Sequence, residues 1–159
     1  MTTETFTTPS AADTFAAPLP RGLRERTAGM SWAGIIDAFG HGAGPLRLGH
    51  WECTDPERPA SRLGSQARTY RATIADGDRI AVSTAAASGP VAALTAMLHE
   101  RGVAVEMVEF HQLHSGPDTA TFVHGTNGIH AEWAIGWSED ATQSALRALL
   151  ACANRLLAA

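Results

Sequence analysis

Residues 129–157, "IHAEWAIGWSEDATQSALRALLACANRLL", decide the fold. Ile129 to Trp137 place apolar side chains at every second residue, the period of a strand with one face buried. The chain then changes period. From Ser138, with Glu139 and Asp140 in a first turn, Ala141, Ala145, Ala148, Leu149, Cys152 and Leu156 fall at helical spacing and describe a broad buried stripe. Arg155 falls in the last turn, where a cation suits the helix dipole. Upstream, "VAVEMVEFHQL" (103–113) and "TATFVHGTNG" (119–128) read as two further strands.

The same series occurs earlier in the chain. "RLGHWECT" (47–54), "ARTYRATIADGD" (67–78) and "RIAVSTA" (79–85) are strand candidates, and "GPVAALTAMLHERG" (89–102) is a helix opened by Gly89-Pro90 and closed by Gly102. "ADGD" at 75–78 signals a tight turn, and residues 54–66 form a long polar connection. Repeat one therefore spans 46–102 and repeat two 103–157, within a domain of 46–159. Neither unit is large enough to bury its own sheet face, so the two share a core. The predicted class is α+β: duplicated βββα units with pseudo-twofold symmetry, helices packed on antiparallel sheet. Such a duplication sets a loop before each helix N-terminus, around Ser88-Gly89-Pro90 and Gly136-Trp137-Ser138, and these are the places for a ligand.

Residues 1–20, "MTTETFTTPSAADTFAAPLP", read as a disordered tail and lack the basic and apolar regions of a secretory signal. Residues 21–45 read as a short helix and linker, with Ser31 as N-cap and Gly40 as the stop. Trp32, Ile35, Ile36 and Phe39 share its face and would pack it onto the domain. A formal charge of −4 and a pI near 5.9 give no electrostatic footprint for nucleic acid or an anionic membrane. No apolar run approaches the roughly eighteen residues of a membrane span. All 12 basic residues are arginine, which removes Schiff-base and P-loop lysine chemistry. Cys53 and Cys152 lack CxxC spacing and read as buried or half-buried free thiols, consistent with a cytoplasmic protein.

"GWSEDATQSALRALLACANR" (136–155) is similar to a Gly-x-Asp-x-Asp-Ile-x-x-Ala-Ser-x-x-Ala pattern ending in Asn-Arg, with Gly136, Asp140, Leu146, Ala148, Leu149, Leu150, Asn154 and Arg155 in register. In "ASGPVAALTAMLHERGVAV", Gly89, Pro90, Ala93 and Gly102 match a Gly-Pro helix start and a Gly stop. "VEFHQLHSGPDTAT" is similar to a strand ending Asp-Tyr followed by a Gly-x-Asp-Ala turn. Together these resemble the C-terminal regulatory (allosteric, dimerisation) domain of 2-isopropylmalate synthase, which also occurs in citramalate synthases. The resemblance implies an isopropylmalate synthase regulatory-domain-like fold, a homodimer, and a small carboxylate or amino-acid-like ligand, leucine in the synthase. It also implies a partner role toward a separate synthase subunit. The family's catalytic barrel and its metal-binding His-x-His motif have no counterpart in these residues, so the expectation is a chain that does not itself condense acetyl-CoA with a keto acid.

The ligand-binding positions implied are Ala87, Ser88, Gly89, Pro90, Met107, Phe110, His114, Asp118, Ala120, Gly136, Trp137 and Ser138. Some depart from the family. Its Gly-Thr-Gly-Asn-Gly-Pro turn reads Ala85-Ala86-Ala87-Ser88-Gly89-Pro90 here, its tyrosine matches Phe110, and a small pocket residue matches His114. Two added methyls and a titratable ring would change which ligand fits.

Histidine is abundant, with His111, His114, His124 and His130 falling within twenty residues. This supports an alternative: a small cofactor-free enzyme of specialised metabolism, with His114, His111, His130 and Glu132 as acid–base groups for a cyclisation, isomerisation or elimination. His130 and Glu132 would share a strand face, while His111 and His114, three apart, would face opposite sides. No spacing is diagnostic of a metal, so neither metal nor cofactor is expected.

Overall fold

The computed structural model describes residues 14, 15, 17–40, 44–55 and 67–159. Two short helices, α1 (Arg21–Arg26) and α2 (Trp32–Phe39), precede the duplication. Repeat one is β1 (Leu46–Cys53), β2 (Arg68–Asp76), β3 (Arg79–Ala87) and α3 (Pro90–Glu100). Repeat two is β4 (Glu106–Ser115), β5 (Asp118–Thr126), β6 (Ala131–Ser138) and α4 (Ala141–Ala158). Each repeat makes its own three-stranded antiparallel sheet, β1-β2-β3 and β4-β5-β6. The β2–β3 and β4–β5 hairpins turn alike: Asp76 pairs with Arg79 around Gly77 (φ 60°), and Ser115 pairs with Asp118 around Gly116 (φ 58°). A glycine at the first central position is what a type II′ turn requires.

The shared core lies between the sheets. Tyr70, Ala72 and Ile74 of β2 meet Leu94, Met97 and Leu98 of α3, while Leu146, Leu149 and Cys152 of α4 meet Val123 and Ala134. Because α4 packs on β5 and β6 and also touches β1 and α3, it is buried on most of its circumference, more widely than the sequence stripe implied. Two glycines let it approach the sheet. A Cβ on Gly136 would lie 2.0 Å from the Ser144 carbonyl oxygen, and one on Gly125 would lie 2.7 Å from Cys152 Sγ. The seam between helix and sheet carries a buried polar set, in which Ser144 Oγ lies 2.7 Å from Thr121 Oγ1 and donates toward the carbonyl oxygens of Thr119 and Gly136.

Strand alternation gives the second sheet a second buried face. Thr121, Val123 and Gly125 turn toward α4, whereas Ala120 and Phe122, with Trp133 and Ile135 of β6, turn to the other side. That side is covered by Phe15, Leu19, Leu23, Ile35 and Phe39. Phe15, only 4% exposed, sits edge-on to Trp32 at 4.8 Å. Burial of one such ring is worth about 2–3 kcal/mol, which corrects the reading of residues 1–20 as uniformly disordered. The compositional bias of that segment hid two anchors, Phe15 and Leu19; residues 1–13 and 16 lie outside the described residues.

Other boundaries moved for local reasons. The expected short helix between Ser31 and Gly40 is α2, and it is preceded by a helix not expected, α1, across a turn with Gly29 at φ 79°. Ser31 caps α2 as expected, its Oγ accepting from the Gly34 N–H at 3.1 Å. Helix α4 starts at Ala141 rather than Ser138, because Asp140 is the N-cap and accepts from the Gln143 N–H at 2.8 Å. Strand β3 runs to Ala87, every residue paired with β2, so the alanines in place of family glycines continue the strand. Cys152 is buried, but Cys53 is exposed, against the expectation for it. Much of the polar connection, residues 56–66, lies outside the described residues. No described helix is long and apolar enough to cross a membrane.

Candidate functional site: a groove between α3 and β4

Helix α3 uses opposite faces for two purposes. Ala93, Leu94, Met97 and Leu98 are fully buried in the core. Val91, Ala92, Thr95, Ala96 and His99 lie on the other side and line a groove of about 770 Å³ with Ser88, Gly89, Pro90, Met107 and Phe110. The strand wall depends on an irregularity. The β4–β5 register shifts between Met107 and Glu109, so Met107 pairs with Gly125 and Phe110 with Val123, both on the helix-facing side of β5. Without that bulge, residues three apart would point to opposite faces.

One end of the groove is an unfinished helix start. Gly89 is the N-cap, in extended conformation, with no side chain to cap the helix. Pro90 has no N–H, and the Ala93 N–H already bonds to the Gly89 carbonyl at 3.0 Å. Val91 and Ala92 are thus the first-turn donors facing the groove, at the positive end of the α3 dipole. Thr95 does not add to them, since its Oγ1 donates to the Val91 carbonyl at 2.8 Å. The result is a polar, anion-attracting end joined to an apolar trough.

Five of the sequence-predicted ligand positions come together here: Ser88, Gly89, Pro90, Met107 and Phe110. Ala87 packs against the core beside them. The other positions are elsewhere. Ala120 is wholly buried beneath the N-terminal aromatic cluster and cannot line the groove. Gly136 is a glycine because α4 lies against it. Trp137 packs on Trp32 at 5.4 Å and Phe15 at 6.0 Å. Ser138 Oγ accepts from the Asp140 N–H, and Arg147 donates to the Trp137 carbonyl. The helix start at the second junction is therefore already capped, although Gly136 and Trp137 line a separate hollow, and the pseudo-symmetry does not make it equivalent to the first. Asp118 and His114 flank the β4–β5 turn, where His114 Nδ1 lies 3.1 Å from Thr119 Oγ1. The groove residues that sequence reading missed carried a signal: 91, 92, 95, 96 and 99 are the helix-spaced positions opposite the core stripe.

The four candidate acid–base groups, His114, His111, His130 and Glu132, do not gather. His114 pairs with Thr119 at one end of β5 and His130 lies beyond Thr126 at the other, a span of about 20 Å at strand rise. His111 faces the opposite side from His114, as its spacing implied, with Nε2 3.4 Å from Glu109 Oε1. The other Glu109 oxygen lies 3.4 Å from His124 Nδ1 as an ion pair without hydrogen-bond alignment, and the His124 ring stacks on Trp133 at 4.7 Å. Glu132 is engaged by Arg155 at 3.2 Å. Burial raises the Cys152 thiol from 9.0 to about 11, partly offset by a hydrogen bond from the Gly125 backbone.

No protein-family model matches the chain. It is similar to the 2-isopropylmalate synthase of Parafrankia sp. (strain EAN1pec), 31% identical over 163 aligned positions covering 89% of this chain. It is also similar to that of Clavibacter michiganensis subsp. michiganensis (29% over 116, 70% of this chain) and that of Arthrobacter sp. (strain FB24) (31% over 96, 57%). The chain spans only 16% to 28% of the length of these relatives. With two βββα units arranged as the motifs implied, the chain is similar over most of its length to a part of 2-isopropylmalate synthase, consistent with the regulatory domain that its motifs resemble.

Proposed function

We propose that this chain is a ligand-binding and dimerisation module whose α3–β4 groove holds a small amino-acid-like carboxylate with a branched apolar side chain, leucine or a close relative. One observation carries the reading: the uncapped N-terminus of α3 opens into an apolar trough between Val91, Ala96, Met107 and Phe110. The carboxylate would accept from the Val91 and Ala92 N–H groups, and the side chain would displace water from the trough. One such helix-start site per chain follows, because the N-terminus of α4 is already capped by Asp140.

Dimerisation is supported by the sheet edges. Strands β3 and β4 are edges, and they expose Ile80 (72%), Val82 (56%), Val108 (57%) and Phe110 (41%). Apolar edge strands invite pairing with another chain. Since Phe110 belongs both to an edge and to the groove, ligand binding and dimerisation would be coupled, and the pair could regulate a synthase in trans. The catalytic alternative lacks such support: His114, His111, His130 and Glu132 are spread over both faces and both ends of the second sheet. Isothermal titration with leucine tests the reading. Saturable binding near one per chain supports it, and absence of heat with leucine, isoleucine, valine and their 2-oxo acids overturns it.

A further inference from the structure

A second hollow, of about 630 Å³, opens between α2, β1, β6 and α4. Its wall is largely apolar, with Ile36, Leu48, Trp137 and Leu150, but it is edged by Arg47 and Arg147. Among the described residues each arginine is tethered by one nitrogen only. Arg147 Nη1 donates to the Trp137 carbonyl at 2.8 Å, and Arg47 Nη2 reaches the Gly77 carbonyl at 3.4 Å. Neither belongs to an ion pair among the described residues, in a chain with 16 acidic and 12 basic residues. A guanidinium has five N–H donors, so most of the donors on this rim remain for a ligand.

We infer that this hollow binds a small aliphatic monocarboxylate, its carboxylate between Arg47 and Arg147 and its alkyl chain along Ile36, Leu48, Trp137 and Leu150. Two unpaired cations beside apolar surface complement an anion with an apolar body. A phosphate dianion fits less well. The part of α4 lining the hollow is its middle and C-terminal half, Arg147 to Asn154, toward the negative end of its dipole, and no helix N-terminus contributes.

The test is calorimetric titration of the full chain with hexanoate, and with 1-hexanol as the uncharged counterpart. Hexanoate should bind saturably and more tightly than hexanol. Arg47→Gln and Arg147→Gln should each weaken hexanoate about tenfold, the loss of one charge-assisted contact, without lowering Tm. Excess leucine should leave hexanoate affinity unchanged. No saturable binding up to about 10 mM, a millimolar limit equivalent to roughly −3 kcal/mol, would overturn the inference. So would equal affinity for hexanol, unchanged affinity in both arginine variants, or displacement by leucine.

Discussion

Asn154, near the end of α4, clasps the backbone of Leu46 at the start of β1: its Oδ1 accepts from the Leu46 N–H at 3.0 Å and its Nδ2 donates to the Leu46 carbonyl at 2.9 Å. Both contacts are buried, and they join the last helix of one repeat to the first strand of the other. Asn154→Ala would strand two buried backbone groups, at about 1–3 kcal/mol each. Tm should fall by roughly 5–15 °C in a chain of this size. Asn154→Asp keeps the acceptor but, once ionised, loses the donor. Its deficit should therefore be larger at pH 8 than at pH 4, read by thermal melts of variant and parent at both.

Two glycines with the same sequence appearance should respond oppositely. Gly136→Ala drives a methyl into the Ser144 carbonyl and the Ala148 N–H, both backbone, so α4 must back away. Loss of about 3 kcal/mol or more is expected, at the upper end for overpacking. A Cβ on Gly89 meets nothing within 4 Å, and its φ of −169° suits any residue. Gly89→Ala should cost about 1 kcal/mol or less, through the weaker cap alone, while its methyl disturbs the groove mouth. Chemical denaturation ranks the two.

The two thiols should separate cleanly by reactivity. Cys53 is exposed and should react with a disulfide reagent at pH 8 in the native protein; Cys152 should react only on unfolding. Its folded pKa, about 11 against 9.0, means that the folded state holds the proton more tightly. The associated stability is fully present below pH 9 and is lost as pH rises toward 11, about 2–3 kcal/mol at most. Cys152→Ala should flatten that alkaline decline in denaturation curves taken from pH 8 to 11.

If the edges of β3 and β4 make the dimer, charge placed on them should prevent it. Val82→Lys combined with Val108→Lys is expected to convert a dimer to a folded monomer, because both side chains are already exposed within the chain. Sedimentation equilibrium of parent and variant distinguishes this from a parent that is monomeric throughout.

The duplication was legible because its signals are local. Period-two strands, Gly77 and Gly116 turns, and the Gly89-Pro90 helix start each act within a few residues. What could not be read depends on distant partners. Phe15 is one aromatic in a Thr- and Pro-rich run, and only the face formed by Phe122 and Trp133 gives it a place. Gly136 looked like a ligand contact in a loop; the approach of α4, eight residues later at Ser144, explains it instead. Half of the groove was visible in Ser88, Gly89, Pro90, Met107 and Phe110. Of the facing residues of α3, Val91, Ala92 and Ala96 were overlooked because small apolar side chains on a helix read equally well as core.

A thermal-shift series puts the proposed branched-chain carboxylate site of the α3–β4 groove to the test. Leucine, isoleucine, valine and their 2-oxo and malate relatives would be added to the purified chain at increasing concentration. A ligand at 100 times its Kd should add about 2.7 kcal/mol, a rise of roughly 5–10 °C for this size, and the rise should shrink in Gly89→Ala. A Tm unmoved by every member of the series would mean that the groove does not hold such a carboxylate.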